Sequence, residues 1–260
     1  MRSILVSANE DPGMDLRLQA ALDFARATNG HVTVLFDLPV TRYIAMDALG
    51  GSYLVREAFD AARQDEERAI HALEDRLARE DVPFDVLRSE DEPATALALA
   101  SRMNDVVVVS RGSGLAGTVA LTSRVPVLVL PDDRPVTLPP RRVAIAWDGG
   151  DEAARALRAS VPAIAGAETV EVISIAEKSG GFPATDVLRY LSRHGIKAGL
   201  TEQQRRGSVE ESLAVAVAAA RPDLLVMGAY GKSRLREYLF GGVTAHFLTQ
   251  SSGPALFLVH

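Results

Sequence analysis

The chain carries the same pattern twice. The stretch Leu97-Ala-Leu-Ala-Ser-Arg-Met-Asn-Asp-Val-Val-Val-Val-Ser110 matches Val215-Ala-Val-Ala-Ala-Ala-Arg-Pro-Asp-Leu-Leu-Val-Met-Gly228 in kind and order. Each is an alanine-rich helical stretch, an aspartate (Asp105, Asp223) and a four-residue apolar run. An apolar run of that length reads as a parallel strand buried on both faces. Each half closes with a second apolar strand behind a proline, Pro126–Leu130 and Pro254–Val259. Each also opens alike, with Ile4–Val6 and Val143–Trp147, and continues with second strands at His31–Phe36 and Thr169–Ile175. The period is close to half of the 260 residues.

Helical patterns lie between these strands. Met14–Thr28 and Asp151–Ala165 follow the two opening strands. Ser208 and Glu211 have the spacing of a capping box, and Pro93 suits the first turn of the counterpart helix. The halves differ after their second strands. The first has a long charged segment, Leu54–Glu80, with Val55, Phe59, Ala62, Ile70, Leu73 and Leu77 on one stripe. That helix either covers its own half or docks a partner. The second half has only Pro183–His194 there. Three prolines in Asp132–Arg142 mark a linker. The expected architecture is α/β: two tandem doubly wound five-stranded parallel-sheet domains, residues 1–137 and 138–260, each of strand order 3-2-1-4-5.

Composition narrows the function classes. Cysteine is absent, which removes disulfides, thiolate nucleophiles and thiolate metal sites. A net charge of −6 argues against a broad nucleic-acid surface, though not against a small anion held by backbone amides. No apolar run approaches the roughly 18 residues of a membrane span. The opening residues turn acidic at Glu10 and Asp11, too early for a signal peptide, so a cytoplasmic protein is expected.

The chemistry concentrates in one segment. Gly228 and Gly231 fall where the fourth strand of the second half ends, and Gly241 and Gly242 fall at the start of its last helix. Glycine lets a bulky anion approach the main chain, and a helix N-terminus offers free N–H groups and a favourable dipole. Thr244 adds a hydroxyl in the first turn. In a sheet of order 3-2-1-4-5, the loops after strands 1 and 4 flank one crevice at the topological switch point. Trp147-Asp148-Gly149-Gly150 is the first of those loops, so Asp148 faces Gly228 there. Asp148 either accepts hydrogen bonds from a ribose or base, helps hold a metal ion, or caps the following helix as an Asx turn. Lys232, Arg234 and Arg236 either neutralise phosphate or are simply solvated.

These residues resemble the tandem form of the universal stress protein family over nearly the whole chain. Its ATP-binding members carry Gly-x₂-Gly-x₉-Gly-Ser/Thr, matched here by Gly228, Gly231 and Gly241, followed by Gly242, Val243 and Thr244. Gly242 departs from the pattern and removes one hydroxyl, as Gly150 does in the loop after the first strand. The resemblance implies that Ala146, Val172, Ile173 and Met227 line an adenine pocket. It also implies ATP as ligand, with magnesium as a companion ion, in the second half alone.

The first half lacks this site. With Asp105 set on Asp223, Ser110 falls on Gly228 and Ser113 on Gly231, and ten residues are then missing before the closing proline. Two other signals fail on context. Gly112–Gly117 reads G-x-G-x-x-G but follows a fourth strand, and Gly231-Lys232-Ser233 lacks the earlier glycine of a P-loop, which would be Val226. The five histidines have no ligand spacing.

The expected function is an ATP-binding stress-response sensor or adaptor with an unidentified protein partner, without nucleic acid or membrane, and not an enzyme. The alternatives are an interaction module that binds no nucleotide and a slow nucleotide hydrolase. The apolar final strand is expected at a sheet edge, which suits strand pairing, and the resemblance implies that this edge pairs the halves as an intramolecular pseudo-dimer or pairs two chains as a homodimer.

Overall fold

The computed structural model describes residues 1–8, 11–39, 52–176, 182–231, 242–250 and 252–260. The apolar runs become strands. In the first half these are β1 (Ser3–Ser7), β2 (His31–Asp37), β3 (Phe84–Ser89), β4 (Val106–Ser110) and β5 (Val127–Leu130). In the second they are β6 (Arg142–Trp147), β7 (Thr169–Ala176), β8 (Gly199–Gln204), β9 (Leu224–Gly228) and β10 (Ala255–Val259). Helices α1 (Met14–Thr28), α2 (Ser52–Leu77), α3 (Pro93–Ala100) and α4 (Ala116–Thr122) connect the first set. Helices α5 (Asp151–Ile164), α6 (Ala184–Arg193), α7 (Val209–Ala220) and α8 (Gly242–Thr249) connect the second.

The ten strands among the described residues belong to one sheet, ordered β3-β2-β1-β4-β5-β10-β9-β6-β7-β8. Within each half the pairing is parallel and the order is 3-2-1-4-5. The seam between halves is antiparallel, with Phe257 opposite Leu128. The two fifth strands meet like edge to like edge with their directions reversed, as a twofold axis normal to the sheet would place them. The halves therefore form an intramolecular pseudo-dimer. The final strand does not lie at an edge of the assembled sheet, however. β10 is hydrogen-bonded to β9 on one side and β5 on the other, which leaves it no free ladder for a second chain. The outer edges are β3 and β8.

Alternation along each strand supplies two core layers. Ile4, Val6, Val32, Val108, Val172 and Val226 face one layer with α1, α2, α5 and α6. Leu5, Leu35, Val107, Ile173, Leu225 and Met227 face the other with α3, α4, α7 and α8. Asp105 and Asp223 do equivalent work in the two halves. The Asp105 carboxylate accepts from the N–H groups of Arg2 and Ser3, at 2.6 and 3.1 Å. Asp223 accepts from those of Arg142 and Arg141, at 2.8 and 3.2 Å. Each thus ties the start of a fourth strand to the start of a first.

Arginines reinforce the seam. Arg111, after β4, donates to the carbonyls of Gln250, at 2.5 Å, and Pro254, while Arg134 donates to that of Gly253. Helix α2 buries Ile70, Leu73 and Leu77, whereas Phe59 and Ala62 are only half-buried. The side chain of Val55 lies outside the described residues. The capping box forms as expected, with Ser208 accepting from the Glu211 N–H and Glu211 from the Ser208 N–H. Among the described residues no helix is long and apolar enough to cross a membrane.

Candidate functional site

Strands β6 and β9 pair directly, and their C-terminal ends open onto a cavity of 610 Å³. The loop after β6 turns at Gly149, whose φ of +76° suits glycine. Asp148 Oδ1 accepts the Gly150 N–H at 2.8 Å, the Asx turn weighed above, and the same residue borders the cavity. The cavity floor comes from alternate strand residues: Ala146 on β6, Ile173 on β7 and Met227 on β9. Trp147 borders it at the end of β6. Val172 does not. It is one residue out of phase with Ile173, and the pleat turns it into the opposite core layer.

The glycine loop is built around α5 as much as around any ligand. A Cβ placed on Gly228 would stand 2.6 Å from the Ala153 nitrogen and 2.7 Å from the Glu152 carbonyl carbon. The first turn of α5 rests on bare main chain there, so this glycine has a packing reason of its own. A Cβ on Gly231 would meet the Glu152 carboxylate, and one on Gly242 would approach that of Glu210 at 3.4 Å. Thr244 is 3% exposed, and its Oγ1 accepts from the Tyr230 N–H at 3.4 Å. A hydroxyl that accepts in this way keeps its own proton for another acceptor.

Of the residues expected at the site, Val172 apart, Ala146, Trp147, Asp148, Ile173, Met227, Gly228, Gly231, Gly242, Val243 and Thr244 all border this one cavity. Gly241 lies outside the described residues, as do Lys232, Arg234 and Arg236. The lining also contains residues that were not anticipated, among them Glu152, Phe182, Glu202 and Tyr230. Glu152 was legible as the acidic second residue of a helix that opens beside the crevice. Tyr230 sits inside the Gly-x-x-Gly spacing with φ at +62°, an uncommon conformation for a bulky side chain. Its hydroxyl is buried without a partner among the described residues, and burial pushes its pKa above the ordinary phenol value. The charged side chains on the described lining, Asp148, Glu152 and Glu202, are all acidic. Glu152 has Arg155 3.9 Å away as a partial counter-charge.

At the equivalent place in the first half, Arg17 is fully buried. Its Nε donates to the Ser7 carbonyl at 2.9 Å, and its terminal nitrogen donates to Ser110 and to both oxygens of Asp11. Burial pulls the Arg17 pKa below the usual guanidinium value, and Asp11 opposes that shift.

Residues 140–258 match the model of the universal stress protein family. The second half is a universal stress protein domain. The first half repeats its strand order, so the same fold occurs twice in tandem. Two solved structures share the fold over essentially the full length. One is a universal stress protein from Archaeoglobus fulgidus DSM 4304, with a TM-score of 0.75, 16% identity and coverage of 98% of this chain and 97% of that one. The other is a protein of the same family name from Pseudomonas aeruginosa UCBPP-PA14, with a TM-score of 0.60, 16% identity and coverage of 100% and 93%. No curated protein matches the chain.

Proposed function

We propose that the second half binds an adenine nucleotide, ATP with magnesium as a companion ion, and that occupancy sets the partners of a cytoplasmic stress-response sensor or adaptor rather than driving turnover. One observation carries this reading. The universal stress protein domain places Gly228, Gly231, Gly242, Thr244 and Asp148 around a single cavity with an aliphatic floor at the switch point of its sheet. A floor of Ala146, Ile173 and Met227 suits a flat apolar base, while glycine main chain and the Thr244 hydroxyl suit phosphate oxygens. Asp148 and Glu152 offer carboxylates to a magnesium ion carried in with the phosphates. Ligand held in the folded state alone stabilises that state in proportion to the logarithm of its concentration over its dissociation constant. Occupancy can therefore follow nucleotide supply.

The test is calorimetric titration of the full chain with ATP and AMP, with and without magnesium. Thr244→Val is the preferred variant, because any side chain at Gly228 strikes α5. Loss of the hydroxyl donor is expected to weaken ATP by about tenfold and to leave adenosine unchanged. Binding undetectable at millimolar ATP overturns the proposal, and steady phosphate release would replace the sensor with a hydrolase.

A further inference from the structure

Phe182 is the one aromatic residue among the large apolar side chains left open to water in the described residues, at 71% exposed. Its main chain is nevertheless held at both ends. Its N–H donates to the Gly149 carbonyl at 3.2 Å, and its own carbonyl accepts the Trp147 indole N–H at 2.8 Å. Pro183 follows with φ at −61° and caps α6. A ring on so fixed a stem that still faces water forgoes the burial that aromatic side chains usually gain in folding. It stands on the wall of the cavity whose floor is aliphatic.

We infer that Phe182 is a specificity-determining residue of this cavity, its ring covering the face of a planar nucleobase that the aliphatic floor leaves open. The inference rests on the nucleotide reading above and adds to it a position that acts on the base and not on the phosphates. Stacking on an aromatic ring depends on the area of the base, so it favours a purine over a pyrimidine and is indifferent to phosphate number.

Trp147 is the sole tryptophan of the chain, and its indole is bonded to the Phe182 carbonyl, so its fluorescence reports this wall directly. The full chain, F182A and F182Y are titrated with adenosine, AMP, ATP and uridine, by fluorescence and by calorimetry. F182A is expected to weaken the three adenine ligands by one common factor, about tenfold. The preference for adenosine over uridine narrows, F182Y stays near the wild type, and the melting temperature is unchanged because the ring is exposed. Adenosine binding to F182A as tightly as to the wild type overturns this inference and leaves the nucleotide reading standing. A loss seen with ATP but not adenosine overturns it too, because the effect then lies at the phosphates. A wild type that binds none of the four ligands at millimolar concentration overturns both.

Discussion

In the first half, the joint between the opening helix and the fourth strand sets Gly13 against Ser110; in the second, the first turn of α5 lies against Gly228. A Cβ on Gly13 would stand 2.5 Å from the Ser110 hydroxyl, just as one on Gly228 would strike the main chain of α5. The glycine has changed sides. Where the strand keeps a side chain, Ser110 takes the guanidinium of Arg17, and the ends of β1 and β4 are joined by a buried charge from the same chain. Where the strand is bare, the ends of β6 and β9 open onto 610 Å³ of cavity. Two copies of one fold thus meet the same demand for polar partners in opposite ways, one with its own side chain and one with space for something else.

The variant that most strains this contrast is Arg17→Ala. It leaves Asp11 without its buried cation, while Asp132 keeps Arg111 nearby, and breaking a buried pair from one side costs about 3–5 kcal/mol. Denaturant unfolding should show that loss. A cost below about 1 kcal/mol would mean that Arg17 is a bystander.

The second change exchanges the joints. Gly228→Ser, which makes the second half resemble the first, forces a side chain into the α5 backbone and is expected to cost about 3 kcal/mol. The reverse change, Ser110→Gly, removes one hydrogen bond to Arg17 and is expected to cost about 1 kcal/mol. Equal losses at the two positions, measured by thermal unfolding, would erase the asymmetry.

Arg111→Ala probes the seam. Two charge-assisted bonds to the Gln250 and Pro254 carbonyls disappear, for an expected loss of about 2 kcal/mol. Hydrogen exchange in β5 and β10 should rise before exchange in β1 or β6 does.

The smallest effect concerns a feature the halves share. Asp105 is held below the ordinary carboxylate range by the Arg2 N–H and then by that of Ser3. For Asp223, burial pushes the pKa up but is outweighed by the Arg142 guanidinium and main-chain N–H. A carboxylate lowered in the folded state contributes stability that is complete above its unfolded pKa, about 3.9, and is lost as pH falls below it. The wild type should therefore lose stability more steeply than the D105N/D223N double variant as pH falls below about 4. The difference is expected below about 1 kcal/mol, because solvent screens both groups. Parallel curves for the two proteins would contradict it.

Much of this was legible because repetition doubles every signal. Asp105 and Asp223, the apolar runs after them and the closing prolines appear twice, and each became the same element in both halves. The cavity residues were legible because glycine spacing and strand alternation are local properties of sequence. Arg17 was not. Helix α1 buries Arg17 with Leu18, Ala21, Phe24 and Ala25, so its one signal is a charge standing on the apolar face of a helix. Its partners Ser7 and Ser110 lie far apart in sequence and meet only through strand order. Phe182 stayed hidden for a related reason. An aromatic before a proline in a loop says nothing of the indole 35 residues earlier that holds it in place. The sequence left open whether β10 pairs the halves or two chains, because one half read alone ends in an edge strand. Only assembly of the two halves moves that edge to the middle.

The seam also has a consequence for synthesis. β5 is complete by Leu130, but the strand that covers its open side begins at Ala255. A first half emerging from the ribosome presents four buried-type residues, Val127 to Leu130, along a bare ladder until the whole second half has been made. During that interval any other strand of like character competes for the place, a neighbouring nascent copy of this chain above all.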